Sequence, residues 1–247
     1  MTGASRGIGL AIARELVKEG ARVAIVARGK KGLTEAFKNL ETLGGNGGHA
    51  AFALDLVADD GPKNLVRALK TFGVPEIVVH NLGGTLDIRD PLCSISQWRK
   101  VMRLNLEVAV ELNRLLIPAM RKRGWGRLIH VSSVSGGENL GPIPYCTSKA
   151  ALNAYTRSLG RVLAPDGIVV TALSPGAVFA EDGPWDRASK QRPEHVRHYL
   201  RKELPTHRFA GVDEISALAV FLCSERASQC NGGVFSVDGG LGRGFVS

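Results

Sequence analysis

The chain opens MTGASRGIGLAIARELVKEG (residues 1–20), and the reading of this stretch decides the fold class. Gly3, Gly7 and Gly9 stand in the spacing G-x-x-x-G-x-G. Behind them Ile8, Ala11, Ile12 and Leu16 recur with a helical period, and Gly20 is placed to stop the helix. Glycines at a helix start leave bare backbone, so that a pyrophosphate can approach the free N–H groups and the positive end of the helix. A turn of the same composition with no ligand is the competing reading. Loops of this kind normally close a β-strand, yet only Met1 and Thr2 precede Gly3.

Outward from this loop, helical and apolar segments alternate. ARVAIVAR (21–28) is short, apolar and rich in β-branched residues, and Leu33, Ala36, Phe37 and Leu40 then resume helical spacing before LGGNGG (43–48). HAAFALDL (49–56), a helix carrying Leu65, Val66 and Leu69, EIVVH (76–80) and a long helix around 96–122 continue the pattern. RLIHVSS (127–133), a helix from about 143 to 164, IVVTALSP (168–175), a helix near 213–224 and GVFSVDGG (233–240) complete it. Strands that are apolar at every position imply burial on both faces, hence a parallel sheet covered by helices. The expectation is an α/β doubly wound architecture in one domain spanning 1–247, with no internal repeat.

Composition sets the outer limits. Of 247 residues, 44% are hydrophobic and 22% charged, and no apolar run approaches the roughly 18 residues of a membrane span. No secretory signal is read at the N-terminus, which makes a cytoplasmic location the default. Cys93, Cys146, Cys223 and Cys230 form no C-x-x-C pair, so reduced thiols without a structural metal are expected. The net charge of +9 does not point to nucleic acid, because Lys and Arg are spread along the chain and aromatic residues make up only 6%. The densest basic cluster, Arg121, Lys122, Arg123 and Arg127 in RKRGWGR, reads as a solvated turn.

Two further stretches carry chemistry. Arg28 follows the second strand about 20 residues beyond the loop, where an NAD site has an acidic residue for the ribose 2′-hydroxyl. An arginine there, with Arg6 in the loop, favours a 2′-phosphate and therefore NADP(H) over NAD(H), the alternative being that both are merely solvated. In PYCTSKAALNAYTRSLG (144–160), Tyr145 and Lys149 are four apart and share a helix face, so a nearby ammonium is expected to favour the phenolate and lower the tyrosine pKa. Ser132 and Ser133 end a strand at the carboxyl edge, where open α/β sheets bind ligands.

The assembled pattern resembles the short-chain dehydrogenase/reductase family, and within it the 3-oxoacyl-[acyl-carrier-protein] reductases. TGASRGIG, HNLGG, WRKVMRLNL, VSSVSG, YCTSK, SPG and VFSVDGG match its segments in order over nearly the whole chain. The resemblance implies a Rossmann-like sheet with Asn105, Ser133, Tyr145 and Lys149 as the catalytic residues. Tyr145 would exchange the proton with the carbonyl or alcohol oxygen, Ser133 would hydrogen-bond that oxygen, Lys149 would hold the nicotinamide ribose, and Asn105 would support a water relay to Lys149. Cofactor contacts are implied at Gly3, Ser5, Arg6, Gly7, Ile8 and Gly9 in the loop and at Arg28, Asp55 and Leu56 around the adenosine. Asn81, Gly83, Pro175, Gly176 and Val178 are implied beside the nicotinamide half, together with Tyr145 and Lys149.

Several features depart from the pattern or extend it. His80 and Leu82 stand where the family has Asn and Ala, a change expected to alter packing more than chemistry, and Ala180 replaces a threonine that in many relatives binds the carboxamide. The family carries a strand ahead of T-G-x-S-x-G-I-G, in the sheet order 3-2-1-4-5-6-7. That first strand is expected to be missing here, leaving ladder groups of two neighbours unpaired, so Met1 is read as a late start or a trimmed boundary. Residues 179–210 look like the family's substrate lid, and Arg187, Lys190, Arg192, Arg197, Arg201, Lys202 and Arg208 make it basic. Such a lid suits a carrier-protein-linked or CoA-linked substrate, a sugar nucleotide or a carboxylate; a solvated helix face is the alternative. His195, His198 and His207 lack a close third ligand, so no metal is expected. The expected function is NADP-dependent hydride transfer to or from a carbonyl or alcohol, with a 3-oxoacyl thioester leading, another anionic or sugar-derived carbonyl second, and a non-catalytic NADPH sensor as the alternative class. No nucleic-acid or membrane partner is expected. A homotetramer built on the helices around 96–122 and 143–164 is implied by resemblance.

Overall fold

Strands form where apolar residues predominate at consecutive positions, and helices where apolar residues recur every three or four. A computed structural model describes residues 1–44 and 47–244, so part of the expected LGGNGG turn lies outside the described residues. In chain order the elements are α1 (Gly7–Lys18), β1 (Ala24–Ala27), α2 (Lys30–Thr42), β2 (Ala50–Ala53), α3 (Gly61–Ala68) and β3 (Ile77–His80). Then come α4 (Ile95–Met102), α5 (Val108–Arg123), β4 (Gly126–Val131), α6 (Ile143–Leu163), β5 (Ile168–Pro175) and β6 (Val178–Phe179). The chain closes with α7 (Pro184–Gln191), α8 (Pro193–Lys202), β7 (Ala210–Gly211), α9 (Val212–Cys223) and β8 (Val234–Val237).

Every strand pairing is parallel: β1 with β2, the series β3-β4-β5-β8, and the short pair β6 with β7. Residues 1–4 run between β1 and β3. Thr2 bridges to Val26 and donates its N–H to the Val79 carbonyl at 3.1 Å, while the Val26 N–H donates to the Met1 carbonyl at 3.0 Å. The spatial order is therefore β2, β1, residues 1–4, β3, β4, β5, β8, the doubly wound sheet expected. Among the described residues no strand element precedes α1: residues 1–4 stand at the carboxyl end of the expected first strand's position, with a single bridge at Thr2, and β1-β2 and β3-β4-β5-β8 remain separate sheets.

All six residues of β4 and all eight of β5 are buried, so these strands read as mainly apolar runs although Arg127, His130, Thr171 and Ser174 stand within them. Ile12, Leu16, Ile25, Ile129, Leu173 and Ile215 pack with α1 and α9 on one face. Leu65, Leu112, Leu116, Leu128, Leu163 and Val170 pack with α3, α5 and α6 on the other. Each such side chain contributes roughly 1.5–3 kcal/mol of burial free energy.

Two expectations change on folding. The long helix around 96–122 is interrupted by a π-turn at Arg103–Glu107. Asn105 sits inside it, donating from Nδ2 to the Val101 and Gly84 carbonyls at 2.9 Å each, while Arg103 is held by Glu111 at 2.8 Å and by the Val57 carbonyl at 3.1 Å. The extra residue in the turn directs Asn105 inward at the sheet edge. In the basic cluster, Arg121, Lys122 and Arg123 are exposed, but Arg127 is 2% exposed. Its guanidinium lies over the Trp125 ring, 4.4 Å from the centroid, and pairs with Glu225 at 3.2 Å, so this cation is compensated rather than solvated.

Candidate active site

The glycine loop is shaped by what a side chain would meet. Gly3 and Gly7 have φ of +63° and +58°, a left-handed conformation that favours glycine. A Cβ on Gly9 would stand 2.5 Å from both the Gly3 carbonyl and Asn81 Nδ2. The close approach exists because Asn81 Nδ2 donates to the Gly3 carbonyl at 2.9 Å and the Asn81 N–H donates to Thr2 Oγ1 at 3.0 Å, tying the loop to the end of β3. Arg6 is the N-cap of α1 and makes no side-chain cap bond, so the first N–H groups of the helix face the cleft.

A cavity of about 420 Å³ begins at this loop. It runs from Gly3, Arg6, Gly7 and Ile8 past Asn81 and Gly83 to Ser133, Tyr145 and Lys149, and on to Pro175, Gly176 and Val178. Ser5, Gly9, Arg28, Asp55, Leu56 and Asn105 do not line it. Gly9 and Leu56 are buried behind it, Ser5 Cβ faces α2 at Gly32, and Arg28 and Asp55 are exposed. Leu82, Gly84, Val131, Ala180, Glu181 and Trp185 also line the cavity. Of these, only Leu82 and Ala180 were singled out from sequence, as departures; Trp185 and Glu181 carried no signal beyond their place in the variable segment.

The reactive group is assembled by α6 and the turn after β4. Tyr145 and Lys149 share a face of the first two turns of α6, with the Lys149 ammonium 5.8 Å from the Tyr145 ring centroid. Gly136 lets the turn approach α6: a Cβ there would be 2.7 Å from Asn153 Nδ2 and 2.9 Å from the Lys149 backbone. The turn thereby brings Ser133 to the same cavity wall as Tyr145, where its hydroxyl favours the phenolate against burial. Ser132 is buried, with its hydroxyl turned to the Lys149 carbonyl at 3.5 Å, which leaves Ser133 as the serine facing the tyrosine. Lys149 donates to the Val131 carbonyl at 2.8 Å.

The pKa expectation is corrected. Burial pushes the Tyr145 phenol up from 10.0 and outweighs the opposing hydrogen bond from Ser133. Burial also brings the Lys149 ammonium down to about 7. In this dry pocket desolvation of the charged forms is the larger effect on both groups, so Tyr145 holds its proton at neutral pH.

Asn105 acts on the backbone rather than directly on Lys149. It clamps Gly84 from both sides, accepting the Gly84 N–H at 2.9 Å and donating to its carbonyl at 2.9 Å. Gly83 separates Asn105 from Lys149: a Cβ there would be 2.8 Å from Asn105 Oδ1 and 3.1 Å from Lys149 Nζ. Gly83→Ala should therefore displace the lysine and lower kcat on the order of 10²-fold with the far-UV circular dichroism retained. Unchanged kcat would show that the contact has no catalytic consequence.

The segment expected to be a lid holds α7 and α8. Trp185 stacks on Tyr199, with ring centroids 4.5 Å apart, and meets Phe209 at 4.8 Å; Leu204, Val134 and Leu241 lie in the same cluster. Part of its positive charge is neutralised, because Lys190 pairs with Asp186, Arg197 with Glu194 and Arg208 with Glu214. Among the described residues no group of three or more His, Cys, Asp or Glu side chains is placed to hold a metal ion, and no helix is long and apolar enough to cross a membrane.

A glycine cradle at a helix start, joined by one cavity to a Tyr–Lys–Ser group at the carboxyl edge of a parallel sheet, defines a nucleotide-dependent oxidoreductase. Comparison with known proteins makes this more specific. The family model described as enoyl-(acyl carrier protein) reductase matches residues 3–242. The 3-oxoacyl-[acyl-carrier-protein] reductase FabG of Pseudomonas aeruginosa is 34% identical over 98% of this chain and 95% of its own. The L-sorbose reductase of Gluconobacter frateurii, solved with NADPH and L-sorbose, superposes with a TM-score of 0.91 at 32% identity, covering 99% of this chain and 96% of that one. An actinorhodin polyketide ketoreductase variant with NADPH gives 0.90 at 28%, over 98% and 96%. The chain belongs to the short-chain dehydrogenase/reductase family and is an oxidoreductase acting on CH–OH and C=O groups.

Proposed function

We propose that the protein is an NADPH-dependent ketone reductase, with 3-oxoacyl thioesters as its leading substrate class. The observation that carries this reading is the grouping of Ser133, Tyr145 and Lys149 on the same cavity as the glycine cradle, with burial holding the Tyr145 phenol above its ordinary pKa as an acid able to protonate an oxygen. The cleft fits the dinucleotide: the space at Gly9 admits no side chain, and the open N–H groups of α1 face the cavity. Gly3, Arg6, Gly7, Ile8, Asn81 and Gly83 would hold it along the cavity, Ser5, Arg28, Asp55 and Leu56 at the adenosine, and Pro175, Gly176 and Val178 at the nicotinamide. When bound, NADPH supplies the hydride.

The chain's own residues do the rest. Tyr145 gives its proton to the substrate oxygen, and Ser133 donates a hydrogen bond to that oxygen as charge develops on it. Lys149 stabilises the tyrosinate left behind and holds the ribose. Asn105, through its clamp on Gly84, keeps the sheet edge in place beside the lysine. The lid over 179–210 shapes the substrate side, the chain forms one domain over 1–247, and a cytoplasmic homotetramer packed on α5 and α6 completes the reading.

Arg28 and Arg6 give the cofactor preference. Arg28→Ala should raise the KM for NADPH about tenfold and leave that for NADH unchanged, the loss expected for a hydrogen bond to a charged group. Equal effects on both cofactors would remove Arg28 from the 2′-phosphate. A second substrate reading rests on Glu181 and Trp185, which both line the cavity. A carboxylate to accept hydroxyls and an aromatic face suit a sugar-derived ketone. Loss of reduced-nicotinamide absorbance with acetoacetyl-CoA and with L-sorbose separates the two. Turnover of the thioester supports the leading reading, turnover of the sugar alone moves the second ahead, and NADPH binding without turnover of any ketone overturns both in favour of a sensor.

A further inference from the structure

The chain turns back on itself after β8. Gly239 and Gly240 have φ of +63° and +81°, a left-handed pair that reverses the backbone. Asp238 holds the reversal by accepting the Gly240 N–H on Oδ1 and the Gly242 N–H on Oδ2, each at 3.0 Å. The turn is seated against the segment that follows α8, since a Cβ on Gly239 would stand 3.0 Å from Thr206 Cγ2.

Two links leave the residues beyond it. The apolar link is Leu241, 4% exposed, which shares one cluster with Val134, Ala177 and Leu204 and with Trp185 and Phe209 packed against them. Val134 follows Ser133, Ala177 follows Gly176, and Trp185 lines the cavity, so this leucine joins the serine turn, the turn after β5 and the lid. The polar link is Glu138, whose Oε1 accepts the Arg243 N–H at 2.8 Å and the Gly244 N–H beside it. Glu138 belongs to the serine turn, because its own N–H donates to the Val134 carbonyl at 3.0 Å. The Arg243 side chain reaches on to Glu203 at the end of α8, at 3.0 Å, but that pair is exposed and contributes little.

Ser133 depends on this turn for its direction. Its Oγ accepts the Ser135 N–H at 3.2 Å, which places the hydroxyl and leaves its hydrogen to donate into the cavity. A shift of residues 134–138 carries the hydroxyl with it, and a shift of the lid carries Trp185. We infer that residues 238–244 form a strap, with Leu241 and Glu138 as positioning residues that fix the Ser133 hydroxyl and Trp185 relative to each other. The strap acts on ketone placement and not on the glycine loop, which Thr2 and Asn81 hold separately. Its kinetic consequence rests on the reductase reading; the mechanical coupling does not.

Amide hydrogen exchange in the full chain tests the coupling without any substrate. Glu138→Ala removes the acceptor of the Arg243 and Gly244 N–H groups, so exchange should quicken about tenfold or more in both 134–140 and 196–204, with α1 unchanged. Glu138→Gln keeps an acceptor oxygen and should bring exchange back to within about threefold of wild type. Leu241→Ala cuts the apolar link, leaves that of Glu138 intact, and should loosen the same two segments. In the ketone assay Glu138→Ala should lower kcat/KM about tenfold, with the KM for NADPH changed less than about twofold and the Gln variant recovering. If no ketone is turned over, the reductase reading falls and exchange still decides the strap. Joint loosening of the two segments in either alanine variant supports it. Loosening of one segment alone in both variants, of neither, or of α1 to the same extent overturns it.

Discussion

Tyr145→Phe should abolish reduction, lowering kcat by about 10³–10⁴-fold while NADPH still binds, because the substitution removes one oxygen and leaves the ring in place. Among the described residues lining the cleft, the phenol is the donor that combines burial with a raised pKa and stands beside Ser133. Its pH behaviour follows from the sign of the shift. With the pKa above 10.0, the donating form persists through neutrality, so kcat for reduction should fall only on the alkaline side. Oxidation of an alcohol needs the phenolate and should rise over that same alkaline range. Lys149, at about 7, loses its own charge earlier, and a first, shallower step near neutrality is expected in the oxidative profile as that support is withdrawn. A Phe variant that keeps even a tenth of the wild-type kcat would remove Tyr145 from the proton transfer. A reduction profile that declines with a midpoint well below 10 would show that the lysine charge, not burial, sets the tyrosine.

The architecture was legible because burial on both faces leaves a plain mark: β4 and β5 are apolar or small over most of their length and read as strands without ambiguity. Tyr145 and Lys149 were legible from a four-residue spacing, since α6 converts that spacing into a shared face whatever surrounds it. What surrounds it decided the rest. The π-turn at Asn105 leaves no mark in hydrophobic period, because it depends on a side chain reaching the Gly84 backbone twenty-one residues upstream. The direction of the Tyr145 shift depends on how dry the pocket is, and its lining draws on segments distant in sequence, with Val131 from β4 and Pro184 and Trp185 from α7. Arg127 read as part of a solvated basic run, yet the strand following Gly124 carries it inward against Trp125 and Glu225. Local pattern records which face a residue takes; it does not record which partner will be waiting there.

Stability should fall steeply as the pH is lowered from 6.5 to 4, because a chain of neutral groups between β3, β4, α5 and α6 has no place for a proton. His80 Nε2 donates to Asn113 Oδ1 at 2.7 Å, and Asn113 Nδ2 donates in turn to His130 Nε2 at 3.1 Å and to the Tyr155 hydroxyl at 3.2 Å. His130 must therefore carry its hydrogen on Nδ1, which meets Thr156 Oγ1 at 2.8 Å, and that hydroxyl donates to the Leu152 carbonyl at 2.8 Å. A second proton on His130 would set two donors against each other. Burial brings His80 down to about 4 and His130 well below its ordinary 6.5, with the charges of Lys149 and the Met1 ammonium acting in the same direction. The unfolded chain binds these protons near 6.5 and the folded chain does not. Their stabilising contribution is complete above 6.5, shrinks as the pH falls towards 4, and for His80 is constant below that. His80 alone accounts for about 3 kcal/mol over the window. Met1, brought down to about 6 from 8.0, adds a slope of the same sign at higher pH. Carboxylates held low by cations, such as Glu214 at about 2 beside Arg208, act below 4.5 and overlap only the lowest end of the window. Urea midpoints measured across this range should therefore lose most of their pH dependence in the His80→Asn, His130→Leu double variant. An undiminished slope there would assign the acid sensitivity to other groups and leave the histidines as packing alone.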